Sequence, residues 1–257
     1  LLFKDTMKPE IQKLSYSSVA LWNYCPRAWL LRYHYKYVTP SSPAQVFGTA
    51  MHKAIQASLV EKQTLSSMAT RFQNNVYEAI FENKTALRAN DITTLIVSGQ
   101  KILNDPMIGG ILETIKVETE SQVEREFEFR VPEVRPPVIG FIDIVDNDGI
   151  PYDIKTSKWQ WTEEKALEEM QPDFYLTALE DAGTPSPNAK FTYIIVMKTE
   201  EPFVYLIETT RPDYKERTYE MVQKMWEGVK AKEWEMDCVR PACKTCGLTK
   251  ECARLKL

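Results

Sequence analysis

Residues 138–157 read VIGFIDIVDNDGIPYDIKTS, and this stretch determines the predicted fold. Two runs rich in β-branched and aromatic residues flank Asn147-Asp148-Gly149, a strong turn signal. A three-residue loop with glycine in its last, left-handed position commonly closes a β-hairpin. In that register Val145 lies opposite Pro151, and the pairing of all other residues in the two strands follows.

Three polar side chains share one face of this predicted hairpin. Asp143 lies opposite Asp153, with Cβ atoms about 4.5–5.5 Å apart, and Lys155 is two residues further along the same face. Two carboxylates at that separation repel each other unless a cation lies between them, and oxygen ligands suit Mg²⁺ or Mn²⁺. Such an ion would neutralise a phosphate and activate water for phosphodiester cleavage, while Lys155 stabilises developing charge. The hairpin alone leaves open a solvated face with an ordinary ion pair. The other face is predicted to be apolar: Ile142, Ile144, Tyr152 and Ile154.

Helical and strand-like segments alternate along the rest of the chain. Their order predicts an α/β fold with a central mixed β-sheet flanked by helices. We expect one compact structural unit with an N-terminal helical region at 1–117, a core at 118–232 and a C-terminal cysteine tail at 233–257. The predicted helices span 15–37, a stretch from Gly48, 64–116 (with interruptions at 104–106 and 109–110), 162–182 and 211–232, and the further strands span 118–131, 190–197 and 202–209.

Composition limits the function classes. The chain has 257 residues, 44% of them hydrophobic, and a net charge of -4. This charge argues against a protein that coats nucleic acid, but not against an enzyme with a local basic cleft. The chain contains no apolar stretch of about 18 residues, so no membrane helix is predicted. Residues 1–5 do not resemble a signal peptide. We therefore expect a cytoplasmic protein without a membrane partner.

The pattern Gly140-Phe-Ile-Asp143 followed by Asp153-Ile-Lys155-Thr-Ser resembles the RecB-like branch of the PD-(D/E)XK nuclease superfamily. In that branch a Gly-x-x-Asp strand precedes an Asp-x-Lys-Thr strand. The resemblance covers roughly residues 14–253 and implies a restriction-endonuclease-like core. Asp143, Asp153 and Lys155 would then be catalytic residues of a Mg²⁺- or Mn²⁺-dependent deoxyribonuclease.

Three further segments are similar to that branch. Gly48-x-x-x-His52 resembles a helical motif whose histidine joins the metal site, so the implied metal ligands are His52, Asp143 and Asp153. Gln171-x-x-x-Tyr175 resembles a downstream helical motif, which implies that Gln171 and Tyr175 contact the scissile phosphate or Lys155. Pro172 removes a backbone donor and predicts a kink or a helix start at that point. Glu124 lies where some members place an additional acid.

The cysteines form a second motif. Cys243-x2-Cys246-x5-Cys252 offers three thiolates, and Cys238 or Cys25 could supply a fourth. The spacing alone fits zinc and an iron–sulfur cluster equally well. The tail and the opening motif Ser15-x-Ser17 … Cys25-Pro26-Arg27 resemble those of AddB-type and CRISPR-associated single-domain RecB-like nucleases. That resemblance implies a structural 4Fe-4S cluster on Cys25, Cys243, Cys246 and Cys252, with Cys238 outside it.

Basic and aromatic residues also interleave just beyond Lys155, where Lys158, Trp159 and Trp161 are candidate DNA contacts. The resemblance implies an exonuclease acting on single-stranded DNA ends, with helicase, recombination, DNA-repair or CRISPR-adaptation partners. Two alternatives remain. One is a non-catalytic DNA-binding or scaffold subunit with a structural zinc or iron–sulfur site. The other is a zinc-stabilised protein whose hairpin acids are incidental.

Overall fold

The computed structural model describes residues 11–82, 85, 87–234, 243 and 246–254. Its centre is a five-stranded sheet with the strand order β1-β2-β3-β4-β5. Strands β2 and β3 are antiparallel, β3 and β4 are parallel, and β4 and β5 are antiparallel. The predicted α/β fold with a mixed sheet is thereby confirmed. The strands are β1 (Val123–Phe129), β2 (Val138–Val145), β3 (Pro151–Ser157), β4 (Lys190–Met197) and β5 (Val204–Thr210).

The turn between β2 and β3 fixes the register of the hairpin. The Asp146 carboxylate accepts two backbone N–H bonds from the turn, at 3.0 and 2.9 Å, and the Tyr152 hydroxyl donates to it at 3.0 Å. The turn glycine has the left-handed φ of +78° that a three-residue loop requires. Ile144 pairs with Tyr152 and Val145 with Pro151, which confirms the predicted register.

Helices precede the sheet, connect its strands and follow it. Helix α3 begins with a capping box, in which the Ser42 side chain accepts from the Gln45 N–H and Gln45 caps the Ser42 N–H. The α-helices are α1 (Tyr16–Tyr24), α2 (Pro26–Trp29), α3 (Pro43–Glu61), α4 (Leu65–Glu82), α5 (Ala89–Leu103), α6 (Pro106–Thr114), α7 (Glu163–Glu168), α8 (Gln171–Asp181), α9 (Tyr214–Ala231) and α10 (Thr249–Arg254), with a π-turn at Leu30–His34 and short 3-10 turns at Glu120–Gln122 and Pro187–Ala189.

Three helix predictions need correction, and the one over 64–116 also breaks between Glu82, where α4 ends, and Ala89, where α5 begins. The helix predicted over 15–37 breaks at Cys25, which is extended at φ -160° and caps α2 because Pro26 starts a new helix there. The helix predicted over 162–182 breaks between α7 and α8, and Pro172 lies in the first turn of α8. At 109–110 no interruption occurs, since α6 runs through both glycines.

The chain divides into two compact units. Unit 1 comprises 1–39, 128–140 and 216–257, and unit 2 comprises 40–127 and 141–215. Unit 1 gathers three separate stretches of sequence, so these units cut across the segments 1–117, 118–232 and 233–257, which remain a prediction. Within the described ranges, no helix combines the length and apolarity that a membrane crossing requires.

Aromatic packing stabilises unit 1. The rings of Trp22 and Trp29 meet edge to face at 5.4 Å, and Trp234 stacks on Trp29 at 5.9 Å. Gly228 of α9 faces Trp22 so closely that an added Cβ would lie 2.5 Å from the indole ring. Any larger residue at this position would force the Trp22 ring or the backbone to shift.

Unit 2 has an apolar core on each face of its sheet. On one face, Ile154 and Ile194 pack with the apolar residues of α3 to α6. On the other face, Tyr193 and Ile195 pack with residues of α7 and α8, including Tyr175. Strand β3 is therefore covered on both sides, which places its polar side chains among helices rather than in open solvent.

Candidate active site

The candidate site lies where the regular pairing between β2 and β3 ends. Paired residues extend from the turn to Ile144 and Tyr152. Beyond them, the backbone N–H of Ile154 donates to Asp143 Oδ2 at 3.0 Å. In a regular antiparallel ladder, a backbone carbonyl oxygen would accept the hydrogen bond from this N–H. Here the Asp143 carboxylate accepts it instead. This irregularity turns Ile142 into the core beside α8 while Ile144 packs beside α3, so the prediction that both share one face was wrong.

Helix α3 contributes two side chains to this point. His52 Nδ1 lies 3.2 Å from Asp143 Oδ2. One turn later, Gln56 Nε2 donates to Glu124 Oε1 at 2.6 Å and approaches the Asp143 carbonyl oxygen at 3.4 Å. Glu124 has a left-handed φ of 49° within β1, which is uncommon for a non-glycine residue and needs support from its surroundings. Gln56 therefore links the additional acid to the β2 backbone beside Asp143.

Helix α8 approaches from the other face of the sheet. Lys155 Nζ lies 2.7 Å from Asp153 Oδ2 and donates to Gln171 Oε1 at 2.7 Å. Gln171 Nε2 in turn donates to the Tyr175 hydroxyl at 2.7 Å. Because the amide nitrogen of Gln171 is bound to Tyr175, its oxygen must face Lys155. The predicted residues Asp153, Lys155, Gln171 and Tyr175 thus form one connected chain of polar groups.

Electrostatics differ between the two carboxylates. Burial tends to raise the pKa of Asp143, but its contact with His52 and the Ile154 N–H hold it below its usual value. Burial, reinforced by the charge of Asp143, raises the pKa of Asp153 to about 6 despite the nearby Lys155. Burial tends to lower the pKa of His52, and its contact with Asp143 together with both acids raises it overall. Burial and the same two acids raise the pKa of Tyr175 well above its usual value, so the phenol stays protonated.

The donor set suits a divalent cation. Asp153 is 1% exposed, and its Oδ2 has an ion-pair contact with Lys155 but no hydrogen bond of good geometry from any described residue. This buried carboxylate oxygen lies next to a second carboxylate and an imidazole. A hard cation bound there would offset the cost of burying its negative charge. As placed, however, no three His, Cys, Asp or Glu side chains of the described residues already surround one point. The residues fit the ion by type and charge, without forming a finished cage.

Sequence reasoning missed Gln56, and the structure shows the surroundings of Pro172 and Trp161. Gln56 could have been found from its position four residues after His52, on the same helix face. Pro172 does not disturb Gln171, because a proline in the first helical turn gives up no needed donor. Trp161 is half-buried: its ring packs against Tyr193 at 5.3 Å, and its backbone N–H donates to the Tyr205 hydroxyl.

The cysteine motif lies in unit 1. Cys25, Cys246 and Cys252 pack against one small apolar cluster made by Ala28, Leu31 and Leu248. The Thr249 hydroxyl contacts the carbonyl oxygens of Cys243 and Cys246 at 2.9 and 2.7 Å, which holds the tail in a tight turn. No disulfide joins these four cysteines, and Cys238 lies outside the described residues. Cys25 and two of the three tail cysteines thus border the same apolar cluster, although no three of these four described cysteines are placed so that they could hold a metal ion.

Comparisons with known proteins identify the family and the fold of the chain. The chain matches the PD-(D/E)XK nuclease superfamily over residues 13–253, and no curated protein matches it. A crystal structure of a candidate exonuclease from Eubacterium rectale is similar at 15% identity and a TM-score of 0.59, covering 91% of this chain and 88% of that one. That likeness shows the fold. A second crystal structure, of SSO0001, has 16% identity, a TM-score of 0.34 and coverage of 88% and 93%. The match over residues 13–253 spans the β-hairpin and the side chains around it, and the chain therefore belongs to the PD-(D/E)XK nuclease superfamily.

Proposed function

We propose that this protein is a metal-dependent nuclease that hydrolyses phosphodiester bonds of DNA. The observation that carries the proposal is the meeting of His52, Asp143, Asp153 and Lys155 at the opening of the β2–β3 ladder. His52, Asp143 and Asp153 would hold Mg²⁺ or Mn²⁺. When bound, such an ion supplies charge neutralisation at the phosphate and a lowered pKa for the attacking water.

The chain's own residues position and stabilise the reacting phosphate. Lys155 places an ammonium group beside Asp153, where it can stabilise negative charge that develops on the phosphate oxygens. Gln171 fixes the Lys155 side chain through its amide oxygen, and Tyr175 fixes the orientation of that amide. Gln171 and Tyr175 therefore act as positioning residues behind Lys155.

Cleavage should depend strictly on a divalent cation. We expect the protein to shorten labelled single-stranded DNA in Mg²⁺ or Mn²⁺ and to leave it intact in excess EDTA, because two adjacent carboxylates repel a phosphate unless an ion intervenes. Gel analysis of end-labelled and circular strands measures both cleavage and the need for an end. Cleavage that persists unchanged in EDTA would contradict the metal-dependent site.

We further propose that the substrate is a single-stranded DNA end and that cleavage is exonucleolytic. In this proposal the protein works in the cytoplasm with a helicase or with recombination, repair or CRISPR-adaptation proteins. The alternative is a non-catalytic DNA-binding or scaffold subunit. The buried Asp153 disfavours it, because that carboxylate has a raised pKa, and its Oδ2 has an ion-pair contact with Lys155 but, among the described residues, no hydrogen bond of good geometry. Resistance of circular strands supports the exonuclease; their cleavage indicates an endonuclease.

We propose that Cys25, Cys243, Cys246 and Cys252 hold a structural 4Fe-4S cluster, with zinc on the same four thiolates as the alternative. Three of these thiols share one apolar cluster, and an apolar cover suits such a cluster. The cysteines bracket a loop of about 220 residues, so the cluster would reduce the freedom of the unfolded chain. The cluster is assigned a role in stability rather than in electron transfer.

Cys25→Ser should lose the cluster, whereas Cys238→Ser should keep it. We expect anaerobically purified wild type and Cys238→Ser to contain iron and acid-labile sulfide, and Cys25→Ser to lose most of both and to melt at lower temperature. Elemental analysis, sulfide assay and thermal unfolding provide the readouts. Stoichiometric zinc in a colourless wild type, or equal loss from both variants, would refute the assignment.

A further inference from the structure

Trp159 projects into solvent from the turn that follows β3. Its side chain is 82% exposed. The turn is rigidly tied, because the Trp159 N–H donates to Ser157 Oγ at 3.0 Å and Ser157 Oγ donates to the Trp159 carbonyl at 2.6 Å. A large indole that is held in water by an ordered turn offers a flat face for stacking.

A half-buried lysine lies beside the same turn. The backbone N–H of Lys198, just after β4, donates to the Ser157 carbonyl at 2.7 Å. Its ammonium group lies 5.0 Å from the centre of the Phe47 ring. Burial, and next the positive charge of Lys158, lower the pKa of Lys198. Within the described ranges, no carboxylate forms an ion pair with Lys158 or Lys198, and the positive charge of Lys158 acts on Lys198.

This surface lies close to the candidate active site along two elements. Trp159 is four residues past Lys155 on the same chain segment, a span of at most about 14 Å. Phe47, whose ring faces the Lys198 ammonium group, precedes Gly48 on α3. An added Cβ at Gly48 would lie 3.6 Å from Thr156 Oγ1, so α3 approaches β3 closely between Lys155 and the turn.

We propose that Lys158, Trp159 and Lys198, the strand-entry surface, bind an unpaired nucleic-acid strand and lead it to the candidate active site. Trp159 stacks on one base, while Lys158 and Lys198 contact phosphates on either side of it. A base inside a duplex offers no free face to the indole, so the surface selects single strands. This inference rests on the proposed nuclease function for the strand's fate, but strand binding itself needs no cleavage.

Binding in EDTA separates this inference from catalysis. The probe is a fluorescent oligothymidine of about 12 nucleotides, within the site sizes known for such surfaces, and a second strand of equal length contains only abasic sugars. Fluorescence anisotropy is measured for Trp159→Ala, Trp159→Phe and the double variant Lys158→Gln with Lys198→Met. Matched controls are Phe81→Ala, an aromatic that is 86% exposed on α4, and Lys190→Gln, at the opposite end of β4.

Trp159→Ala should bind oligothymidine about 5- to 150-fold more weakly than wild type, with no comparable change for the abasic strand. Trp159→Phe should recover most of the loss. The lysine double variant should reduce the slope of log K against log salt by about 1.4. Wild-type binding by Trp159→Ala, an equal loss on both strands, or an unchanged salt slope would overturn the proposal. A protein that binds in this way but never cleaves would instead refute the nuclease function alone.

Discussion

Asp153→Asn is expected to cleave DNA about 100- to 1000-fold more slowly than wild type. Its midpoint of thermal unfolding is expected to stay level or rise. The loss follows because the variant gives up a negatively charged oxygen ligand at the candidate metal site. The gain in stability follows from burial, since Asp153 is 1% exposed and burial raises its pKa to about 6. A neutral amide of nearly the same shape relieves that electrostatic penalty.

Two measurements on the same preparation test this prediction. Single-turnover cleavage of labelled single-stranded DNA gives the rate, and calorimetry or circular dichroism gives the midpoint. Asp148→Asn is the matched control, because Asp148 is an exposed aspartate in the turn of the same hairpin. It should keep both wild-type activity and wild-type stability. An Asp153→Asn protein that cleaves like wild type would remove Asp153 from the catalytic site.

Arg211→Met is expected to destabilise the protein by about 3–5 kcal/mol, equivalent to roughly 6–20 °C in thermal midpoint. Arg211 Nε donates to Asp173 Oδ1 at 2.6 Å, and the two side chains are only 2% and 0% exposed. The guanidinium also donates to the carbonyl oxygens of Ala166, Leu167 and Glu169, where α7 ends. Removing it leaves a buried carboxylate without its charged partner and several carbonyl groups without a donor.

The surface pair of Lys215 and Glu180 provides the control for that prediction. Its ends are separated by 2.5 Å, but both side chains are about one-third exposed, at 33% and 37%. Lys215→Met should therefore change stability by no more than about 1 kcal/mol. Chemical denaturation of both variants compares the two losses directly. A loss for Arg211→Met as small as that for Lys215→Met would show that the buried pair contributes little.

The same arginine bears on activity at a distance. Asp173 lies two residues after Gln171 in the first turn of α8, and Arg211 fixes that turn against the end of α7. Gln171 in turn holds Lys155. Partial loss of cleavage in folded Arg211→Met would thus arise from a displaced Lys155 rather than from a missing catalytic group.

Local signals determined much of what could be predicted. The turn at 147–149 specified the hairpin register, because only a few backbone conformations close such a loop. Helical periodicity placed Gln171 and Tyr175 on one helix face, whereas the Gly48–His52 motif was identified from its resemblance to a nuclease family. The mixed sheet followed from the order of the segments. These features depend on residues close together in sequence, so the sequence alone was sufficient.

The remaining features depend on partners distant in sequence. The contact of Gln56 with Glu124 joins α3 to β1, and no local pattern marks either residue as part of a pair. The side of the sheet to which Ile142 turns depends on the irregularity that Asp143 introduces into β2. The break at Cys25 was missed because apolar residues at helical spacing continue across it, although Pro26 was a usable sign.

The hydrogen bond from the Ile154 N–H to the Asp143 carboxylate affects which acidic residue an inactive descendant of this protein would retain. Asp143 serves the sheet as an acceptor, so a descendant that had lost all enzymatic activity would still gain stability by keeping it. Asp153 accepts no comparable backbone hydrogen bond at Oδ2 among the described residues, and burial raises its pKa despite the ion-pair contact with Lys155. An inactive relative with this fold would therefore shed Asp153 early and Asp143 late. Asp153 is therefore the more informative of the two positions for comparing active and inactive relatives.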